Sequence, residues 1–252
     1  MVWNDFVAKE DLKQPDNSWK STLEVASEKS QKWHQAVSSW IVNQEKSLPK
    51  KHLISHNIAN FKMPAFATDP NISIYTFHYA LPEAATINYA LNKAIGFNET
   101  GFAGKSDDTY RRQAWRFMMS GGGLFGHLDY SFSVGQEEGT DLANNAPGGG
   151  SPTLRSQFKI LKNTLESTDL ATLQPNSSFL GPVEGAFVYP MKDKRSYLVY
   201  MEPILPKSVV MAVKLPKGKY TLAWKDVLTG KTLKFEKLEV ISYHYPAKPR
   251  RY

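Results

Sequence analysis

The feature that most constrains this chain is a change of rhythm near residue 172. Before it, short apolar runs alternate with stretches of helical periodicity. HLISHNI (52–58), ISIYTF (72–77), AIGFN (94–98) and GGLFGHLDY (122–130) read as strands. Helices are expected over residues 19–47, over 82–94 with a proline in the first turn, and over the DTYRRQAWRFMMS stretch, where Asp107 or Asp108 can serve as N-cap. Another opens at Pro152 with Leu154, Phe158, Leu161 and Leu165 on one side. In the first helix Trp33, Val37, Trp40 and Ile41 follow the helical spacing, and Pro49 stops it. Strands separated by helices pair in parallel, because a tight hairpin cannot join parallel neighbours. After residue 172 the helical rhythm is gone. AFVYPM, YLVYME, VVMAVKL, KYTLAW and KTLKFEKL follow one another through turns such as Lys217-Gly218 and Thr229-Gly230. The expectation is an α/β region over residues 1–172 and a small antiparallel β domain over 178–252.

Composition narrows the function classes. Of 252 residues, 41% are hydrophobic, enough for a sizeable core. The formal net charge of +7 admits an acidic polymer as partner, but the lysines and arginines are scattered, and the one dense cluster is the tail from Lys248. Nucleic acid is not the expected partner. There is no cysteine, so neither disulfide nor thiolate chemistry is available. No apolar run is long enough to cross a membrane, and the N-terminal residues lack the basic-then-apolar order of a signal peptide.

The polar residues of the α/β region gather where the expected strands end. The first ends at His56 and Asn57, with Asn60 just beyond; the second at His78 and Tyr79, with Tyr75 within it. The third ends at Asn98-Glu99, the fourth at His127, Asp129 and Tyr130. In parallel sheets and barrels that edge holds the site. Each residue also has a structural reading: a satisfied histidine, a turn-capping asparagine, a bracing His127–Asp129 pair, or a Glu99 salt bridge to Arg111 or Arg112. Three histidines, an aspartate and a glutamate could ligate a metal, but no HExxH or tight H-x-H spacing is present, and neither metal nor cofactor is expected. The triple-glycine runs at 121–123 and 148–150 lack the Lys-Ser/Thr of a phosphate loop.

These residues resemble the second half of a clan A glycoside hydrolase, a (β/α)8 barrel. FHYALP (77–82) is similar to the sixth-strand segment of family 5-like enzymes, and FNETGF (97–102) to the seventh. SLPKKHLISHNIANF, WRFMMSGGGLFGHLDYSFSVGQEEGT and LRSQFKILK resemble cellulase-like bacterial barrels followed by a β-sandwich of the type labelled collagen-binding, to which LPKGKYTLAWKDVLTGKTLK is similar. The resemblance implies a half barrel of about four parallel strands and a retaining mechanism. Glu99 would be the nucleophile, oriented by Tyr79 or His78. A second carboxyl about 5–5.5 Å away would act as acid and base. Asn57, Asn60, His56, His127 and Asp129 would contact sugar hydroxyls, and Tyr75 and Tyr130 would offer stacking faces. It also implies a secreted or periplasmic location.

The departure is the missing Asn-Glu-Pro-type segment that carries the acid/base glutamate in such barrels. The linker over 59–71 is also short for a helix. Three explanations compete. Either the chain is a fragment or the product of a split gene whose partner chain supplies the first half, or it pairs with itself, or Glu10, Asp11, Glu24 or Glu28 replaces the acid. The functional expectations are accordingly a retaining glycoside hydrolase or its nucleophile half, an inactive carbohydrate-binding relative, or a binder of acidic polymers.

Overall fold

A computed structural model of the chain describes residues 19–58, 65, 68–101, 103–204, 208–241, 245–246 and 250–251. The alternating first region forms a four-stranded parallel sheet of β1 (Ser55–Ile58), β2 (Ile74–His78), β3 (Ala94–Glu99) and β4 (Leu124–Phe125), hydrogen-bonded in that order. Helix α1 (Trp19–Gln44) precedes β1. Helices α2 (Ala84–Asn88) and α3 (Asp107–Met119) connect β2 to β3 and β3 to β4, and α4 (Pro152–Glu166) follows. Sequential parallel strands with intervening helices make a partial (β/α)8 barrel. Beside it stand separate antiparallel sheets, so the expected fold class holds.

The helix-side face of the sheet is the core. Ile58, Tyr75, Phe77, Ile95 and Phe97 are buried there with Ala84 and Ala85 of α2 and Phe117 of α3. Burying side chains of this size contributes about 1.5–3 kcal/mol each, which is why β-branched and aromatic residues recur at these strand positions. The opposite face is open along β1, where Ser55 and Asn57 are exposed between the buried His56 and Ile58.

Several elements differ from the sequence reading. Helix α1 ends at Gln44 and tightens into a 3-10 turn, Glu45–Ser47, before Pro49. Its buried residues include Gln31 and Ser38, and Glu45 of the turn is buried too, while Trp40 is exposed. Polar partners decide this: Ser38 donates to Asp69 at 2.5 Å, and Glu45 accepts from the His52 amide at 3.1 Å. The 82–94 helix shortens to α2 plus a 3-10 turn, Tyr89–Leu91, halted at Asn92 in the left-handed conformation (φ 51°). Ser106, not either aspartate, is the N-cap of α3; Asp107 and Asp108 fill its first turn, where a carboxylate faces the positive end of the helix dipole. The fourth strand covers two residues rather than nine, because beyond Phe125 the chain follows β3 through single bonds, Gly126 to Phe97 and Leu128 to Thr100.

The rest of the chain carries β5 (Gln174–Pro175), β6 (Leu180–Glu184), β7 (Ala186–Lys192), β8 (Tyr197–Pro203), β9 (Ser208–Val213), β10 (Gly218–Lys225), β11 (Thr232–Val240), β12 (Tyr245–Pro246) and β13 (Arg250–Arg251). β5, β7 and β8 form one sheet; β6, β12 and β13 pair with β9; β10 and β11 form a hairpin turned at Thr229-Gly230. Lys217-Gly218 is not a hairpin turn, since β9 and β10 belong to different sheets.

Helix α3 carries the junction. Its Phe117 faces the parallel sheet, while Trp115 stacks on Tyr200 of β8 with ring centroids 5.0 Å apart. Glu202, only 5% exposed, accepts from Arg116 Nε at 2.9 Å, from Arg112 Nη2 at 3.0 Å and from the Tyr200 hydroxyl at 2.9 Å. Burial alone would raise the pKa of its carboxyl; the two guanidinium groups and the phenol outweigh that and hold it below the usual carboxylate range. Removing a buried carboxylate from such a cluster leaves cations without their partner. Glu202→Ala is expected to destabilise the chain by about 2–3 kcal/mol and Arg112→Ala, a half-exposed partner, by less than about 1 kcal/mol, measured by urea unfolding.

Candidate active site

The site begins with a register shift. Along β2 and β3 the paired residues run Thr76 with Gly96 and Phe77 with Phe97, then His78 with Glu99. Asn98 is the extra residue of a bulge. Without it Asn98 would stand opposite His78, and period-two alternation would turn Glu99 toward the helices. With it, Glu99 meets His78: Nδ1 of the imidazole donates to Oε2 at 2.7 Å. The Tyr79 hydroxyl donates to Oε1 at 2.5 Å, and the Tyr79 amide donates to the Glu99 carbonyl at 3.0 Å. Both carboxylate oxygens are thus held, from the next strand, by different groups. The Glu99 side chain remains about a third exposed, so a ligand can reach it.

Tyr79 occupies the left-handed region (φ 47°), which costs a non-glycine residue about 1 kcal/mol. The strained turn brings its hydroxyl to Glu99. Burial first, then the neighbouring carboxylate, raise the pKa of the phenol above its ordinary value, so it stays a hydrogen-bond donor. His78 Nε2 is buried without a hydrogen-bond partner among the described residues. Arg111 and Arg112, considered as salt-bridge partners for Glu99, go elsewhere: both pair with Asp108, and Arg112 also with Glu202.

The other sequence candidates divide. Asn57 lies on the same open face one pair below the bulge and accepts from the Thr76 hydroxyl. Tyr130 approaches Tyr79 closely enough to raise the pKa of its phenol further. His56 and Tyr75, expected to meet a sugar, lie on the helix-side face: the His56 ring lies tilted against His34 of α1, centroids 4.2 Å apart, and against Tyr75 at 5.7 Å, and the Tyr75 hydroxyl accepts from the Asp69 amide. His127 and Asp129 do not brace each other. His127 Nε2 is 3.2 Å from the Gly149 carbonyl, which can only accept, so Nδ1 is left to accept from the Thr100 hydroxyl at 3.0 Å. Asp129 is bound by Arg155 at 2.7 Å and by the Ser131 hydroxyl at 2.6 Å. Both therefore anchor the loop after β4. The second triple glycine serves the same loop: a Cβ on Gly148 would lie 1.6 Å from the Gly101 carbonyl oxygen, and one on Gly150 1.9 Å from Asp129 Oδ1. Asn60, Glu10 and Asp11 lie outside the described residues, as do the side chains of Glu24 and Glu28. No group of three or more potential metal ligands occurs among the described residues.

No family model matches the chain, and no curated protein matches it in sequence. Its backbone does find solved structures. A family 5 glycoside hydrolase from Bacteroides vulgatus ATCC 8482 aligns with a TM-score of 0.57 at 14% identity, over 84% of this chain and 54% of that one. The chain shares the fold of part of that enzyme. It spans about half the length of that enzyme. Looser likenesses, at TM-scores of 0.47 and 0.42, are to a protein described as a glycoside hydrolase (11% identity, 95% of this chain and 78% of that one) and to a GH30 endoxylanase from Clostridium papyrosolvens C71 (8% identity, 86% and 57%).

Sequence reasoning gave no role to Thr76 or Arg155. Thr76 stands two residues before His78, so strand alternation could have placed both on one face. Arg155 is one of several basic residues on its helix, and nothing in the sequence singles it out as the partner of Asp129.

His56 supplies a pH test of its structural role. Burial, followed by the nearby His34, lowers the pKa of its imidazole from 6.5 to about 4, against an opposing pull from Asp69. The fold favours the neutral ring, so this contribution is complete above pH 6.5 and is lost as pH falls toward 4. Between pH 7.5 and pH 5 the unfolding free energy of the wild type should drop by about 1–2 kcal/mol more than that of His56→Asn, measured by urea titration at each pH.

Proposed function

We propose that this chain carries the nucleophile of a retaining glycoside hydrolase, with Glu99 in that role. The observation that supports the reading is a partly exposed carboxylate at a strand end, held on one oxygen by a phenol and on the other by an imidazole. Donors fixed in this way set the direction of attack and limit the carboxylate's motion before substrate arrives. In the first step a Glu99 oxygen forms a bond to the anomeric carbon while the bond to the leaving oxygen breaks. A second carboxyl group protonates that oxygen, then deprotonates the water that releases the sugar. As charge leaves Glu99 in forming the ester, the Tyr79 hydrogen bond weakens on Oε1 and the His78 bond on Oε2. On this reading Asn57 meets the ring hydroxyls of the sugar and Tyr130 its ring face. By the same reading the protein acts outside the cytoplasm on a poly- or oligosaccharide.

A second reading is an inactive carbohydrate-binding relative. It is favoured by the nature of the groups touching Glu99, a phenol and an imidazole, neither of which replaces the second carboxyl.

A panel of 2-fluoro glycosides with activated leaving groups separates the two, because an activated leaving group needs little proton donation. Intact-mass analysis should show one added glycosyl group per chain, absent in Glu99→Gln. Tyr79→Phe should still label, roughly 10–100-fold more slowly, having lost one positioned hydrogen bond. No label with any donor, together with calorimetric binding of an oligosaccharide, would establish the inactive relative instead.

A further inference from the structure

The positive charge of this chain is unevenly placed. Residues 172–252 hold 14 Lys and Arg against 6 Asp and Glu, whereas residues 1–171 hold 17 against 18, so the whole of the +7 excess belongs to the β-rich region. Within that region the hairpin of β10 and β11 has two unlike faces. The inner face carries Tyr220, Leu222, Trp224 and Leu238, all half-buried, with the Tyr220 ring edge-on to Tyr197 of β8, centroids 6.2 Å apart. Val227 in the turn packs against the cluster that holds Trp115 and Leu161. The hairpin is thus fixed at its tip and along one side.

The outer face is exposed along its length. In register it reads Lys219 opposite Glu239, Thr221 opposite Lys237 and Ala223 opposite Phe235, with Lys225 beyond. Phe235 is 62% exposed, and its cross-strand neighbour is an alanine, too small to shield it. Lys234 pairs with Glu236 on the inner face, but Lys219, Lys225 and Lys237 take part in no ion pair among the described residues. Unpaired ammonium groups attract an anionic partner, and an exposed ring offers it apolar contact. Lys219 and Lys225 stand about 20 Å apart along β10, at the rise of an extended strand, so a partner meeting both is a polymer rather than a small ion.

We propose that this face binds an acidic polysaccharide, whose carboxylate or sulfate groups meet the three lysines while one sugar ring lies on Phe235. The lysines call for a polyanion. The choice of a glycan rests on the glycoside hydrolase reading of Glu99 and on the ring count: single-stranded nucleic acid is held by successive rings along a groove, and this flat face carries one ring.

The test is calorimetric titration of the full chain with an octamer of galacturonic acid, a heparin octasaccharide, neutral xylo-octaose and octathymidylate. An acidic glycan should bind where the neutral one does not, with affinity falling as salt is raised. Lys219→Gln, Lys225→Gln and Lys237→Gln together should weaken that binding at least about tenfold, and Phe235→Ala about fivefold with the salt dependence unchanged. Removing the same charge at the exposed Lys32, Lys46 and Lys50 should change it by less than about twofold. Circular dichroism should show each variant folded. The relative affinity of the two acidic glycans tells whether carboxylate or sulfate is the group recognised. No binding of either, equal losses in the two triple variants, or tighter binding of the thymidylate would overturn the proposal. Labelling at Glu99 and glycan binding here succeed or fail separately: a labelled chain that binds neither acidic glycan keeps the hydrolase reading and overturns this one, and an unlabelled chain that binds one through these lysines keeps this one.

Discussion

One inserted residue decides which side of the sheet Glu99 faces. Asn98 breaks the two-residue alternation of β3, and that places Glu99 opposite His78 rather than behind the sheet. A strand position is worth little to a catalyst unless its side chain faces the accessible side. The bulge makes that change at the strand end, where few ladder bonds are lost. The strained Tyr79 backbone is its counterpart on β2. The carboxylate is gripped from one neighbouring strand and its turn, a rigid arrangement that needs no contribution from flexible loops.

Helix α3 connects that site to the rest of the chain. One side of it, through Phe117, fills the core behind β2 and β3; the other, through Trp115, Arg112 and Arg116, grips β8. The antiparallel sheets are therefore tied to the same helix that supports the strand bearing Glu99. The Glu202 cluster is a partly buried network rather than a lone surface pair, so its geometry, more than its charge, fixes where β8 sits. The loop after β4 is fastened separately, by Arg155 on Asp129 and by the close approach of Gly148 to Gly101. His127 and Asp129 belong to that fastening.

Much of the architecture was legible from residue order. Alternating apolar runs and helical periods marked the parallel strands, and Pro152 marked the start of α4. The strong β-strand runs after residue 185 were also readable. What failed did so for identifiable reasons. The buried stripe of α1 is polar, and a polar stripe is invisible to hydrophobic periodicity. The 82–94 helix stopped early because Asn92 turned left-handed, a conformation asparagine tolerates but does not announce. Lys217-Gly218 looks like a hairpin turn, yet pairing depends on which strands meet, not on the turn alone. His56 and Tyr75 were assigned to the site by position along the strand, although alternation put them on the other face.

The sequence by itself determined the class of the fold and marked Glu99 as an acid at the end of an apolar strand. Strand–helix alternation permits few packings, and an acid at the end of an apolar strand has few roles. Only the tertiary structure decided which residues share that acid's face. A strand's facing flips with each residue, so a single bulge reverses it, and no local pattern distinguishes Asn98 as the residue left out of register.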